Sequence, residues 1–133
     1  MKAEPIDIKK IELAKKKLTE VVLETELQHN LRHSEKLNCS VWFKREDLQK
    51  VRSFKIRGAF NKISSLSDND KLKGVVCSSA GNHAQGVALS CNKIQIDGVI
   101  YMPTITPKQK VEQVKMFGGK YIKVILEGDT YDD

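Results

Sequence analysis

The apolar residues of this chain fall into two regimes. Over residues 6–22, Ile11, Ala14, Leu18, Val21 and Val22 recur at helical spacing with lysines between them, which predicts a helix. Residues 25–30 and 40–45 read as short strands, the second carried by the β-prone run Val41-Trp42-Phe43, with a helical turn over 31–37 between them. Ser53 reads as the N-cap of a helix running to about residue 65, and Ser67-Asp68-Asn69-Asp70 as a turn-rich break. A regular beat follows: strand 74–78, helix 82–91, strand 97–102, helix 108–117 and strand 121–126. Pro107 opens the second of these helices and Gly118-Gly119 ends it. Apolar strands alternating with helices of this length predict an α/β fold, with a parallel sheet and right-handed crossovers. Sites in such sheets lie beyond the carboxyl ends of the strands. Residues 128–133 read as a loop entering a further helix that is not completed, so the expectation is a sheet cut short.

At 133 residues, with 40% apolar and 30% charged positions, the chain is long enough for a real core. A domain near this size buries roughly two-thirds of the surface its unfolded chain exposes. This composition excludes a disordered chain, and with 8 glycines and 3 prolines a collagen-like or low-complexity one. No apolar run approaches the ~20 residues of a membrane span, and no apolar stretch follows the N-terminus as in a secretory signal. The net charge of +6 raises nucleic-acid binding as a class. The one cluster, Lys9, Lys10, Lys15, Lys16 and Lys17, is the solvated face of the first predicted helix, and no reader motif accompanies it, so no nucleic-acid partner is expected. Cys39, Cys77 and Cys91 are odd in number and without C-x-x-C spacing, which fits neither a disulfide framework nor a zinc site. A reducing cytoplasm suits them.

Two segments carry chemistry. Ser53-Phe54-Lys55-Ile56-Arg57-Gly58-Ala59 places a lysine in the first turn of a predicted helix. The helix dipole and Arg57 both disfavour an ammonium there, and a lysine so placed is either an amine nucleophile or an ordinary solvated side chain. Gly58 lets a neighbour approach that helix. Cys77-Ser78-Ser79-Ala80-Gly81-Asn82-His83-Ala84-Gln85-Gly86 joins a strand end to a helix start. It reads either as an anion site, with backbone N–H groups aided by Ser79 and Asn82, or as a turn capped by Asn82 with His83 on the surface. No G-x-G-x-x-G, Walker loop or H-E-x-x-H occurs.

Together these segments resemble the fold-type II (tryptophan synthase β-like) family of pyridoxal-phosphate (PLP) enzymes, and within it the threonine dehydratases, also called threonine deaminases or ammonia-lyases. Lys44-Arg45-Glu46-Asp47-Leu48-Gln49 with the lysine motif is similar to the family's cofactor-lysine segment, and Ser78–Gly86 to its asparagine loop. Met102-Pro103, the helix over 110–118 and Gly128-Asp129-Thr130-Tyr131-Asp132 follow in the family's order, so the resemblance spans residues 8–133. It implies that Lys55 holds PLP covalently, that Phe54 walls the cofactor and that Asn82 hydrogen-bonds its phenolic oxygen. It also implies that Ser79, Gly81, Asn82 and His83 receive the substrate. Residues 1–73 would belong to the larger, PLP-binding domain and 74–133 to the smaller one. The implied reaction is dehydration and deamination of L-threonine, or of L-serine, as in isoleucine biosynthesis, by a cytoplasmic homo-oligomer acting on a small amino acid. No metal is implied.

Ala80 stands where the related serine racemases carry a serine acid/base, which favours elimination. Lys50 and Arg52 stand where many dehydratases carry Pro and His, a departure with a modest local effect. The family's glycine-rich phosphate loop lies downstream of Asp133. The expectation is therefore an N-terminal fragment with little activity alone. The alternatives are a non-catalytic gene remnant and another fold-type II enzyme such as a serine racemase.

Overall fold

The computed structural model describes residues 7–130. Asp7 opens the first helix, α1 (Ile8–Leu18), by accepting the Lys9 N–H at 2.9 Å, the bond a short acidic side chain makes as N-cap. The helix is shorter than the predicted 6–22, and only Leu18 of its apolar stripe is buried; Ile6 lies outside the described residues. Val21 and Val22, past the helix end, are half-buried against Val51, Ile56 and Leu89. Next come β1 (Leu27–His29), α2 (Leu31–Leu37) and β2 (Trp42–Lys44), inside the predicted spans. The two strands form an antiparallel ribbon with Gln28 opposite Phe43, and every residue of both is exposed. Asn30 caps α2 and Asn38 ends it in the left-handed region, at φ 49°.

The next segment departs from the sequence reading twice. Helix α3 (Lys55–Ser64) begins after Ser53, with Phe54 at the cap position and no side-chain cap bond. Ser53 Oγ accepts the Lys55 N–H at a long 3.4 Å, so it holds the helix start loosely from one residue upstream of the cap. Ser67-Asp68-Asn69-Asp70 is not a break. Ser67 accepts the Asp70 N–H at 3.1 Å and caps a further helix, α4 (Asp68–Lys73). Its acids lie in the first turn and its lysines in the last, as the helix dipole favours. The same residue types build turns and N-caps, and no apolar periodicity follows here to separate the two.

The predicted beat is present as β3 (Val75–Ser78), α5 (Asn82–Ile94), β4 (Gly98–Met102), α6 (Lys108–Gly118) and β5 (Ile122–Leu126). The strands are parallel in the order β3-β4-β5. Cys77, Ile100 and Val124 stand side by side in register, on the face that packs with α5 and α6. Gly118 ends α6 against the sheet, where a Cβ would lie 2.2 Å from Ile122 Cγ1. On the opposite face Val76, Val99 and Lys123 align, and Val76 is 73% exposed. The main core runs from Ala59 and Ile63 of α3 through Ala84, Ala88 and Cys91 of α5 to Ile100 and Val114. Among the described residues no helix is long and apolar enough to cross a membrane.

Candidate functional site

The two motifs meet at a glycine. Gly86 lies one turn into α5, and a Cβ built on it would sit 3.2 Å from the carbonyl carbon and oxygen of Lys55 and 3.3 Å from the Ile56 nitrogen. Hydrogen in place of a methyl lets α5 rest on the first turn of α3. Small residues continue the seam, with Ala59 of α3 sharing a cluster with Ala84 and Ala88 of α5. The sequence reading gave the close approach to Gly58; a Cβ there would meet nothing within 4 Å. A glycine inside the helical run 82–91 was the available signal for the true contact.

Lys55 is the first residue of α3 and is exposed. Its Nζ lies 5.3 Å from the centre of the Phe54 ring, and it has no carboxylate partner among the described residues. Arg57 does not serve as the bare charge expected beside it, because its guanidinium is committed to Glu46.

At the start of α5, Gly81 rather than Asn82 holds the cap position, and no side chain caps the helix. Ser79 donates its N–H to Tyr101 O at 3.0 Å, tying the loop to β4, while its Oγ accepts the Gly81 N–H at 3.3 Å. A Cβ on Gly81 would meet nothing within 4 Å. Asn82 is exposed, with no side-chain hydrogen bond among the described residues. The first N–H groups of a helix have no intrahelical partner, so this end is a positive, open edge. His83, next to Asn82 in the first turn of α5, also lines a cleft of about 400 Å³ with Gly58, Ile63, Val76 and Val87.

A polar network beneath α3 was not foreseen. Glu46 receives both Arg57 Nε at 2.8 Å and Arg57 Nη2 at 2.7 Å, the Thr25 hydroxyl at 2.6 Å and Gln49 Nε2 at 3.4 Å. Its carboxyl is held well down, at about 2 against an ordinary 4.5, chiefly by the Arg57 bonds, with burial opposing. Gln49 is fully buried and closes on the Leu23 backbone, accepting its N–H at 3.0 Å and donating to its carbonyl at 2.8 Å. Burial pushes the Cys77 thiol up to about 11 and the Cys91 thiol to about 12, which disfavours the thiolate at both. No group of three metal-ligating side chains occurs among the described residues.

Comparison with known proteins bears on this geometry. The chain is 59% identical over 128 residues to a biosynthetic L-threonine dehydratase of Halalkalibacterium halodurans, matching 96% of this chain and 31% of that protein. The processed form of threonine deaminase isoform 2 from Solanum lycopersicum superposes with a TM-score of 0.82 at 40% identity, over 94% of this chain and 36% of that one. Maize serine racemase superposes with a TM-score of 0.88 at 35% identity, over 98% of this chain and 39% of that one. The chain thus spans about a third of the length of its relatives, and its architecture is part of the fold-type II one. The profile described as "Pyridoxal-phosphate dependent enzyme" matches residues 18–133, which takes in both motif helices and the seam at Gly86, and the chain belongs to that family.

Proposed function

We propose that these residues form the cofactor-lysine and asparagine-loop part of a PLP-dependent threonine dehydratase. It would convert L-threonine to 2-oxobutanoate and ammonia, and L-serine to pyruvate and ammonia, as in isoleucine biosynthesis. The supporting observation is the 3.2 Å approach a Cβ on Gly86 would make to the Lys55 carbonyl, which brings the starts of the two motif helices together. PLP fits this corner: an exposed amine without a carboxylate partner, open space at Gly81 and an unengaged amide at Asn82. When bound, PLP supplies an electron sink for charge at the substrate's α-carbon.

In this reading Lys55 Nζ would hold the cofactor and would serve as general base for the proton on the substrate's α-carbon. Phe54, beside that nitrogen, walls the cofactor. Asn82 donates from its amide to the cofactor's phenolic oxygen. Ser79, Gly81, Asn82 and His83, with the N-terminus of α5, receive the substrate carboxylate. Residues 1–73 belong to the larger domain and 74–133 to the smaller. The setting is a cytoplasmic homo-oligomer, which suits three free cysteines, with no nucleic-acid partner.

A serine racemase is the second reading, favoured by the 0.88 superposition on the maize enzyme. Ala80 speaks against it: the residue is buried in the main core and has no proton to give. The test is made on the protein at its natural length. PLP is added, borohydride fixes any covalent adduct, and peptides are mapped. Label on Lys55, with 2-oxobutanoate formation abolished in Lys55→Ala, is the expected result. Label elsewhere, or racemised serine without ketoacid, overturns it.

A further inference from the structure

We propose that the Glu46–Arg57 fork is a positioning device for Lys55, fixing the first turn of α3 so that its amine stands where the cofactor's aldehyde is presented. The proposal rests on the reading of Lys55 as the cofactor lysine. The first turn of α3 is poorly held by its own capping. Phe54 supplies no side-chain bond, and Ser53 reaches the Lys55 N–H only at 3.4 Å. Three other contacts set its place. Ile56, 1% exposed, packs with Val51 and Leu89. Gly86 of α5 rests on the Lys55 and Ile56 backbone. Arg57, two residues on and about 200° around the helix from Lys55, reaches down with both nitrogens to Glu46, at 2.7 and 2.8 Å.

A planar fork on a carboxylate fixes direction as well as distance, which a lysine's single ammonium does not. The carboxylate is itself immobilised. Thr25 bonds it at 2.6 Å, and Gln49, 1% exposed and locked to the backbone of Leu23, backs it more loosely at 3.4 Å. Rotation or sliding of the first turn of α3 therefore breaks the fork, while Lys55 itself stays clear of any carboxylate. The fork orients the lysine without touching it.

The test uses the protein at its natural length, with PLP as the probe. Glu46→Gln, Arg57→Lys and the double variant are compared with the unaltered protein. The readouts are PLP affinity from the bound cofactor's absorption, and the fraction of borohydride-fixed label on Lys55. Circular dichroism checks folding. Each single variant is expected to fold and to lose PLP affinity about tenfold, as follows when α3 holds the competent placement in about one molecule in ten. The double variant is expected to be no worse than the worse single one, because both remove one device. Folded variants that melt earlier but bind PLP and label Lys55 as the unaltered protein does would overturn the proposal. Should Glu46→Gln or Arg57→Lys fail to fold, Thr25→Val loosens the carboxylate more gently. A drop in PLP affinity of about threefold then supports the device, and unchanged affinity overturns it. Absence of label on Lys55 in the unaltered protein overturns the cofactor-lysine reading beneath it, an outcome distinct from equal labelling of all variants.

Discussion

Ile100 and Glu46 sit at the centres of two regions held by different physics. Around Ile100 the neighbours are apolar: Ala84, Ala88 and Val114, all fully buried, close the sheet against α5 and α6. Around Glu46 the neighbours are polar, and the buried residues Thr25, Gln49 and Ser53 all lie upstream of residue 74. There α1 buries only Leu18, α2 buries nothing, and the ribbon of β1 and β2 is exposed throughout. Apolar burial is non-directional and tolerates small shifts. Hydrogen bonds to a carboxylate fix angles as well as distances. Lys55 stands where the two meet, since α3 buries Ile56, Ala59 and Ile63 in apolar clusters while Arg57 is tied to Glu46; Asn82 belongs to the apolar-held region, and Gly86 joins it to Lys55.

The contrast breaks most easily at Ile100. Ile100→Ala removes a fully buried side chain in the middle strand and is expected to destabilise the sheet by about 2–5 kcal/mol. The loss should appear as faster hydrogen exchange in β4 and α5, and it should be equal at pH 4 and pH 7, since no titrating group is involved. A loss under about 1 kcal/mol would mean that the sheet relaxes around the gap and does not anchor this region.

Glu46→Gln probes the other region and should cost less, about 2 kcal/mol, the scale of bonds to a charged group screened by water on the half-exposed Arg57 side. Its signature is pH. The Glu46 carboxyl lies at about 2 in the fold, below its ordinary 4.5. A depressed carboxyl contributes stability that is fully present above 4.5 and is lost as pH falls toward 2. The unaltered protein should therefore lose protection of the Leu23 and Arg57 amides over that window. Glu46→Gln should show much less of that loss there, while β4 amides behave alike in both. Equal acid sensitivity in the two proteins would remove Glu46 as the pivot.

The two regions also differed in legibility. The beat from β3 to β5 could be read because each strand is a short apolar run bounded by turn residues, as Val99-Ile100-Tyr101-Met102 is after Asp97-Gly98. Upstream, α1 and α3 were visible as helices, but their ends were not. Val21 and Val22 continue the apolar spacing of α1 after its backbone has turned, because they pack on Ile56 and Leu89. The candidate residues stood out as motifs. Their relation did not, since Gly86 against Lys55 and Glu46 against Arg57 are tertiary contacts that no periodicity encodes.

The smallest expected effect lies at two helix ends, one in each region. Gln95 ends α5 at φ 62°, with its N–H bonded to Cys91 O. The next N–H, of buried Ile96, reaches the same carbonyl at 3.0 Å. This is a Schellman-type end, in which glycine is favoured because a Cβ is crowded at positive φ. Gln95→Gly is thus expected to stabilise α5 by up to about 1 kcal/mol, the strain relieved outweighing the added freedom of the unfolded chain. Asn38 ends α2 at φ 49°, but asparagine already tolerates that region, so Asn38→Gly should gain a few tenths at most, about 0.3 kcal/mol. Hydrogen exchange of the two helix ends gives both values in one experiment. If the gains came out equal, strain at positive φ would not depend on the side chain here. If only Asn38→Gly gained, the polar-held region would carry strain that the apolar-held one does not.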